Sequence, residues 1–404
     1  MPSDRTRTRD ACPGALTTHA ADDGALARVR LPGGRVRASQ LAVLADCAEA
    51  LGDGTLHLTS RANVQLRGLR DTAALAERLA DAGLLPSATH ERVRNIVASP
   101  ASGLVGGLVD VQPLVTELDV AICARPELGA LPGRFWFGLD DGRGDVGGAF
   151  DDRVDVCWRA VDARRGAVLL AGADTGVRVG VTEAVDVLVD LAAAFGHHRR
   201  EAWQVRELDE AQRGAVLASA CGDRSDGAGQ RAERGESAVA LGVIAQDHGR
   251  CAVHAGLRFG TATAAQARLL AGTADEAIVT PWRSVLLPGL DPGDAAAAQR
   301  RLAVAGLLLD ADDPAATITA CIGSPACAKA LADVRADATQ AISELAARGD
   351  VPDGAAHFAG CTRRCGRPPG PAVDVLADGD GYLVDGDTVP AGKLAEALAT
   401  KGRR

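Results

Sequence analysis

LHLTSRANVQLRGL (residues 56–69) returns in altered form as AIVTPWRSVLLPGL (residues 277–290), with Thr59 over Thr280 and Gly68-Leu69 over Gly289-Leu290, an offset of 221 residues. Working outward, RNIVASPA (94–101) falls over TACIGSPA (319–326), and LPGRFWFGL (131–139) falls near HFAGC (357–361). VDV at 154–156 falls over VDV at 373–375. Four matches in one order, at offsets of 219 to 225, argue for a duplicated unit rather than coincidence among Ala/Gly/Leu-rich segments.

Inside the first copy, residues 26–31 read as a strand. Ser39 caps a helix whose Leu41, Leu44, Ala45, Ala48 and Leu51 recur at helical spacing before Gly52 stops it. Leu56, Leu58, Val64 and Leu66 alternate as short strands, and Asp71 caps a second helix carrying Leu75 and Leu79. That βαββα order is half of a ferredoxin-like pair. Each copy continues into a longer α/β segment with a Ser-Pro pair read as a helix start. The expected fold is α+β and internally duplicated: two ferredoxin-like half-domains paired about a pseudo-twofold, plus two α/β domains. The boundaries expected are 20–85, 86–205, a linker at 206–238, 239–305 and 306–404. Residues 220–237 (ACGDRSDGAGQRAERGES) have the composition of a flexible connector.

The chain has 404 residues, 47% apolar and 24% charged, an ordinary globular balance. Forty-four Lys+Arg against 53 Asp+Glu leave a net charge of −9, which argues against a general nucleic-acid binder. Any positive site must be local. Only Lys329, Lys393 and Lys401 are lysines, so an arginine is by itself weak testimony to function. The first residues are polar and apolar runs such as 302–309 are too short to span a bilayer, so a cytoplasmic protein with no membrane partner is expected.

Of ten cysteines, Cys12, Cys47, Cys123, Cys157, Cys221 and Cys251 are scattered, whereas Cys321-x5-Cys327 and Cys361-x3-Cys365 crowd the last quarter. Four thiolates are the ligand count of a 4Fe-4S cube, and these spacings suit its wide corners better than zinc's tight knuckles. Zinc and unligated thiols remain the alternatives. Ser324-Pro325 reads as a helix cap with a first-turn proline, the helix running over 325–347 with Cys327 in its first turn. His357, four residues before Cys361, reads as a packed strand histidine before it reads as an iron ligand. Residues 142–147 spell GxGxxG without the required helix after them and read as a turn. Asp140, Asp141, Asp145, Asp151 and Asp152 are types that hold a hard cation or non-haem iron, but acidic turns commonly hold none.

TSRANVQLRG (59–68), RNIVASP (94–100), LPGRFWFGLDDGRGD (131–145), TPWRSVLLPGL (280–290), CIGSPAC (321–327) and GCTRRCG (360–366) together resemble the nitrite/sulfite reductase superfamily along essentially the whole chain. CPG (12–14) and ALARVRLPGG (25–34) make it most similar to the precorrin-3B synthase branch. That resemblance implies an oxidoreductase of the monooxygenase type: O2-dependent hydroxylation of precorrin-3A with closure of a γ-lactone, in aerobic cobalamin biosynthesis. It implies a 4Fe-4S cluster on Cys321, Cys327, Cys361 and Cys365, and an O2-activating iron, for which a mononuclear non-haem iron is one choice. NAD(P)H would be the indirect electron donor, acting through a separate reductase protein, since no nicotinamide site is visible. In the reductases the last cysteine also bridges to sirohaem iron; whether Cys365 bridges is open.

By motif position Arg61 and Arg94 fall where relatives bind tetrapyrrole carboxylates, and Arg134 and Trp136 fall where reductases carry two lysines. An indole cannot polarise sulfite or nitrite as a cation does, which weighs against a reductase. Asn63 and Gln65 are candidates to hydrogen-bond the ring, and Arg363, Arg364 and Arg367 to offset cluster and substrate anions. A solvated surface cation is the alternative for each arginine. The alternatives for the whole are a sirohaem-dependent nitrite or sulfite reductase and a non-catalytic iron-sulfur electron carrier or tetrapyrrole-binding protein.

Overall fold

The computed structural model describes residues 10, 12–148, 150–222, 239–352, 354–368 and 370–401. The first copy opens with β1 (His19–Ala21), β2 (Gly24–Val29), β3 (Arg35–Arg37), α1 (Ala38–Leu51), β4 (Thr55–Leu58), β5 (Val64–Leu69) and α2 (Thr72–Asp81). The apolar spacing works as read: Leu41, Leu44, Ala45 and Ala48 of α1 are buried, and the Asp71 carboxylate accepts the Ala74 N–H to cap α2. Helix α1 starts two residues early, with Arg37 as its cap residue and Ser39 inside, because the Gln40 side chain takes the Arg37 N–H.

The first copy continues with β6 (Ile96–Ala98), α3 (Gln112–Ala124), β7 (Phe137–Asp140), β8 (Val156–Ala160), β9 (Arg165–Leu170), β10 (Ala173–Gly180), α4 (Ala184–His198) and α5 (Glu210–Cys221). The second copy opens with β11 (Gly242–Ala245), β12 (Cys251–Gly256), β13 (Thr261–Thr263), α6 (Ala264–Ala271), β14 (Glu276–Val279), β15 (Ser284–Leu290) and α7 (Pro292–Val304). It closes with α8 (Pro314–Thr317), β16 (Ile318–Ala320), α9 (Val334–Arg348), β17 (Ala356–Ala359), β18 (Val373–Ala377), β19 (Tyr382–Val384), β20 (Asp387–Val389) and α10 (Leu394–Lys401).

The two half-domains complete each other. One sheet has the order β1-β2-β5-β4-β13, its mate β11-β12-β15-β14-β3, so each copy lends its third strand to the other. β13 pairs with β4, Ala262 opposite Leu56, and β3 pairs with β14, Val36 opposite Ala277. Arg35 fixes the second junction with two bonds to Glu276, 2.9 and 2.6 Å. One apolar core runs beneath both sheets, with Leu44, Leu56 and Leu66 packed in the same cluster as Val253, Ala267 and Leu287. Neither sheet has its full edge without the other copy.

The two larger sheets are also counterparts. β6, β7 and β8 run parallel before β9 and β10 turn antiparallel, and β16 to β20 repeat that order. Two expectations differ. The linker expected from residue 206 begins as helix α5, because Asp209 and Gln212 form a capping box and Val216 and Cys221 pack against the core of the first large sheet; residues 223–238 lie outside the described residues. The Ser-Pro pairs do not start helices: α3 and α9 begin only at Gln112 and Val334. Near the second pair the backbone donors go elsewhere, Ala330 N–H to the Cys327 carbonyl and Leu331 N–H to the Gly360 carbonyl, and Asp333 makes the cap. Cys327 therefore lies in a loop before α9, without the helix dipole expected for it. Among the described residues no helix is long and apolar enough to cross a membrane.

Candidate active site

An open cavity of about 340 Å³ is lined by Arg28, Arg61, Arg134, Arg153 and Arg206 together with Thr59, Ser60, Trp136 and Gln204. No carboxylate is among those lining residues. Arg28 comes from β2. Arg61 comes from the turn between β4 and β5, which closes through Ala62 N–H to the Thr59 carbonyl and Thr59 N–H to the Asn63 carbonyl. Trp136 and the 204–206 segment are tied together by Asp155, whose carboxylate accepts Trp136 N–H at 2.8 Å and Val205 N–H at 2.6 Å. Burial pushes Asp155 up to about 7.

The cavity lining is cationic, with Arg206 paired outward to Asp152 at 3.3 Å. Arg61 lies 4.8 Å over the Trp136 ring and donates to the Gly133 carbonyl at 3.2 Å. Burial, together with Arg28, pushes Arg61 down to about 10; burial, Arg28 and Arg61 push neighbouring Arg30 down to about 9. Crowded, desolvated guanidiniums favour an arriving carboxylate, which they can grip bidentately. Trp136 is 4% exposed and its indole N–H has no hydrogen-bond partner, so a buried donor stands ready in the wall. Arg134 reaches Asp10 at 3.3 Å and lies 5.0 Å over Trp203.

Not all expected substrate contacts gather here. Arg94 is buried away from the cavity, with both arms on Asp119 at 2.6 and 2.7 Å. Asn63 is fully buried and occupied: its carbonyl oxygen accepts Leu31 N–H and its amide donates to Asn95. Gln65 accepts from Arg28 at 3.1 Å and so acts on the cavity only through that arginine. Arg28, Arg153, Gln204 and Arg206 were not singled out from sequence, because they come from separate elements that no local motif joins.

The four C-terminal thiols are free, and Cys361, Cys321, Cys327 all bear on Cys365: burial pushes that thiol up, Arg363 opposes, and the other three thiols add to the rise. Cys321 Sγ accepts the Gly360 N–H at 3.3 Å. Gly360 is required there, since a Cβ would stand 2.6 Å from the Cβ of Ala330. Among the described residues only Asp140, Asp141 and Asp145 bring three ligand atoms within 4.8 Å of one another, so the four sulfurs are spread wider than that. Tetrathiolate zinc needs sulfurs roughly 3.8 Å apart, from Zn–S bonds of about 2.3 Å. The other three thiols act on Cys365 without any three gathering that closely among the described residues, so a tight tetrathiolate zinc site is not preformed, whereas four cysteines are the ligand number of an iron-sulfur cube.

Arg283 links the two regions. Its guanidinium donates to the Gly366 carbonyl at 2.9 Å, beside Cys365, while burial and the charge of Arg153 in the cavity wall lower its pKa. Arg364 and Arg367 instead pair with Asp374, at 2.9 and 2.8 Å, leaving Arg363 as the member of that trio acting on Cys365. His357 is packed in β17 with Nδ1 on Thr319 Oγ1 at 2.9 Å and Nε2 unpartnered; burial and Arg283 push it down to about 4. The acidic knot is self-contained: Asp140 accepts four backbone N–H groups, Asp141 pairs with Arg143, and Asp145 accepts the Ser99 hydroxyl.

The nitrite/sulfite reductase ferredoxin-like half domain matches residues 19–82. Over its whole length the chain superposes on the NirA protein of Mycobacterium tuberculosis with a TM-score of 0.74, covering 98% of this chain and 84% of that one at 18% identity. The chain has the duplicated nitrite/sulfite reductase fold. A precorrin-3B synthase of Sinorhizobium sp is 28% identical over 396 residues, 93% of this chain and 82% of that protein. A ferredoxin–nitrite reductase of Synechococcus elongatus is 36% identical over 127 residues, but this covers only 29% of this chain and 25% of the reductase.

Proposed function

We propose that this chain is an oxygenase of the precorrin-3B synthase type, converting precorrin-3A by O2-dependent hydroxylation and γ-lactone formation. The observation that carries the reading is the cavity lined by five arginines and no carboxylate, which suits a ring bearing many acetates and propionates. The likeness to a precorrin-3B synthase over 93% of the chain supports the same choice.

Cys321, Cys327, Cys361 and Cys365 would hold a 4Fe-4S cluster, which when bound supplies electrons one at a time. The remaining work belongs to the chain's own side chains. Arg28, Arg61, Arg134, Arg153 and Arg206 bind and orient the ring's carboxylates. Trp136 backs Arg61 with its ring face and offers its free indole N–H to a polar substituent. Asp155 keeps Trp136 and the 204–206 segment in register. For each hydroxylation one oxygen atom of O2 enters the substrate and the other leaves as water, which consumes two electrons and two protons. We assign those electrons to a separate donor protein, with NAD(P)H as their ultimate source.

The optical spectrum and the turnover of precorrin-3A by the purified protein test the reading together. Cluster absorption without a haem band, with precorrin-3A consumed only in O2, is the expected result. A sirohaem Soret band with nitrite or sulfite reduction would replace it by the reductase reading, and a cluster with no consumption of precorrin-3A would reduce the chain to a carrier.

A further inference from the structure

The CPG segment at 12–14 has so far had no role. Glu91 holds the segment that follows it: its carboxylate accepts the N–H groups of Ala15, Leu16 and Thr17 at 2.5, 2.9 and 3.1 Å. Gly14 leaves room for this clamp, because a Cβ there would fall 2.3 Å from the Glu91 carboxylate oxygen and push it aside. Cys12 is thereby delivered, 7% exposed, to the arginines behind the cavity. Its Sγ accepts from Arg28 Nη1 at 3.3 Å, Arg30 Nη2 at 3.6 Å and Arg61 Nη1 at 3.6 Å. Two of those three, Arg28 and Arg61, line the cavity.

We propose that Cys12 is a positioning residue of the cavity: its thiolate is a resident anion that holds Arg28 and Arg61 in place, backed by Arg30, for the carboxylates of a polyanionic ring. This rests on the reading of the cavity as a polycarboxylate site. Without an internal anion the three guanidiniums repel one another and splay. A thiolate suits the place because it is large, weakly hydrated and tolerates burial better than a carboxylate does, so it orders the arginines without competing strongly for their outward donors. The groups facing the thiol are Arg28 from β2, Arg30 just after that strand, Arg61 from the β4–β5 turn and Asp10 from its own segment. Burial and Asp10 push the thiol up, yet the three arginines bring it below its ordinary value of 9.0. The thiolate is present above that lowered value and lost as pH falls through it.

The test uses the full chain and uroporphyrin III, an octacarboxylate tetrapyrrole, as the probe. Cys12→Ser should weaken binding by about ten-fold, the scale of losing one charge-assisted contact, and Cys12→Asp should recover most of it. Affinity of the unchanged chain should fall as pH drops through the thiol's ionisation, a step missing from Cys12→Asp. Independently of any probe, the pH dependence of Cys12 alkylation by iodoacetamide, read by peptide mass spectrometry on the unchanged chain, should place its ionisation below that of an ordinary thiol. Ionisation at or above the ordinary value overturns the inference. If Arg61→Ala weakens uroporphyrin III binding and Cys12→Ser does not, the inference falls while the cavity reading stands. If Arg61→Ala has no effect either, the cavity reading falls and takes the inference with it.

Discussion

Arg61 and Arg30 keep guanidiniums buried among carbonyls, a thiol and each other, and their ionisation is pushed down accordingly. That arrangement costs folding energy which a single thiolate offsets only in part and a bound polyanion would offset further. Arg61→Ala should weaken binding of a polycarboxylate tetrapyrrole by about ten-fold or more, with little loss of stability, as titration of the probe would show. Cys361→Ser or Cys327→Ser should lose iron, sulfide and turnover together, measured by metal analysis and assay, since each removes one thiolate corner. Asp155 bears on stability. Its folded value of about 7 lies above the ordinary 3.8, so its contribution is fully present below about pH 4 and is lost as pH rises towards 7. Asp155→Asn should flatten that slope in denaturant titrations at several pH values; an unchanged slope would remove Asp155 as its source. The cysteine spacing and the cationic motif at Arg61 were legible in the sequence. The Arg94–Asp119 pair, the burial of Asn63 against Asn95 and the Glu91 clamp were not, because each joins residues whose proximity only the fold creates.

At the scale of elements, periodicity and most caps are legible where the signal is local: Asp71 before α2, Gly52 after α1, the alternation in β4 and β5, with Ser39, inside α1 rather than capping it, as the exception. The signal misleads at Ser324-Pro325, where a proline in first-turn position reads as a helix start although the following donors bond within a loop. The exchange of β3 and β13 left no trace either, since three-residue strands at a sheet edge carry almost no pattern of their own. It makes a firm prediction nonetheless. Val36 is 1% exposed in β3 and packs in the shared core, so Val36→Asp should destabilise the protein by about 3–5 kcal/mol by burying an unpaired charge. Hydrogen exchange should show the loosening in β14 of the other copy as well as around β3. Loosening confined to the first copy would contradict the exchange.

The whole molecule is a duplicated frame whose copies have diverged in task. The first copy supplies every residue of the arginine cavity, the second supplies the four thiols, and Arg283 stands between them. Residues 1–222 and 239–404 produced separately should each be unstable and should associate when co-expressed, as gel filtration would show; two independently folded monomers would refute the shared core. The oxygenase reading itself is tested most directly by supplying isotopically heavy O2, precorrin-3A and an electron donor to the purified protein and weighing the product. The account predicts a product carrying one heavy oxygen atom, formed only when O2 is present. Turnover without O2, or a product whose new oxygen comes from water, would contradict it.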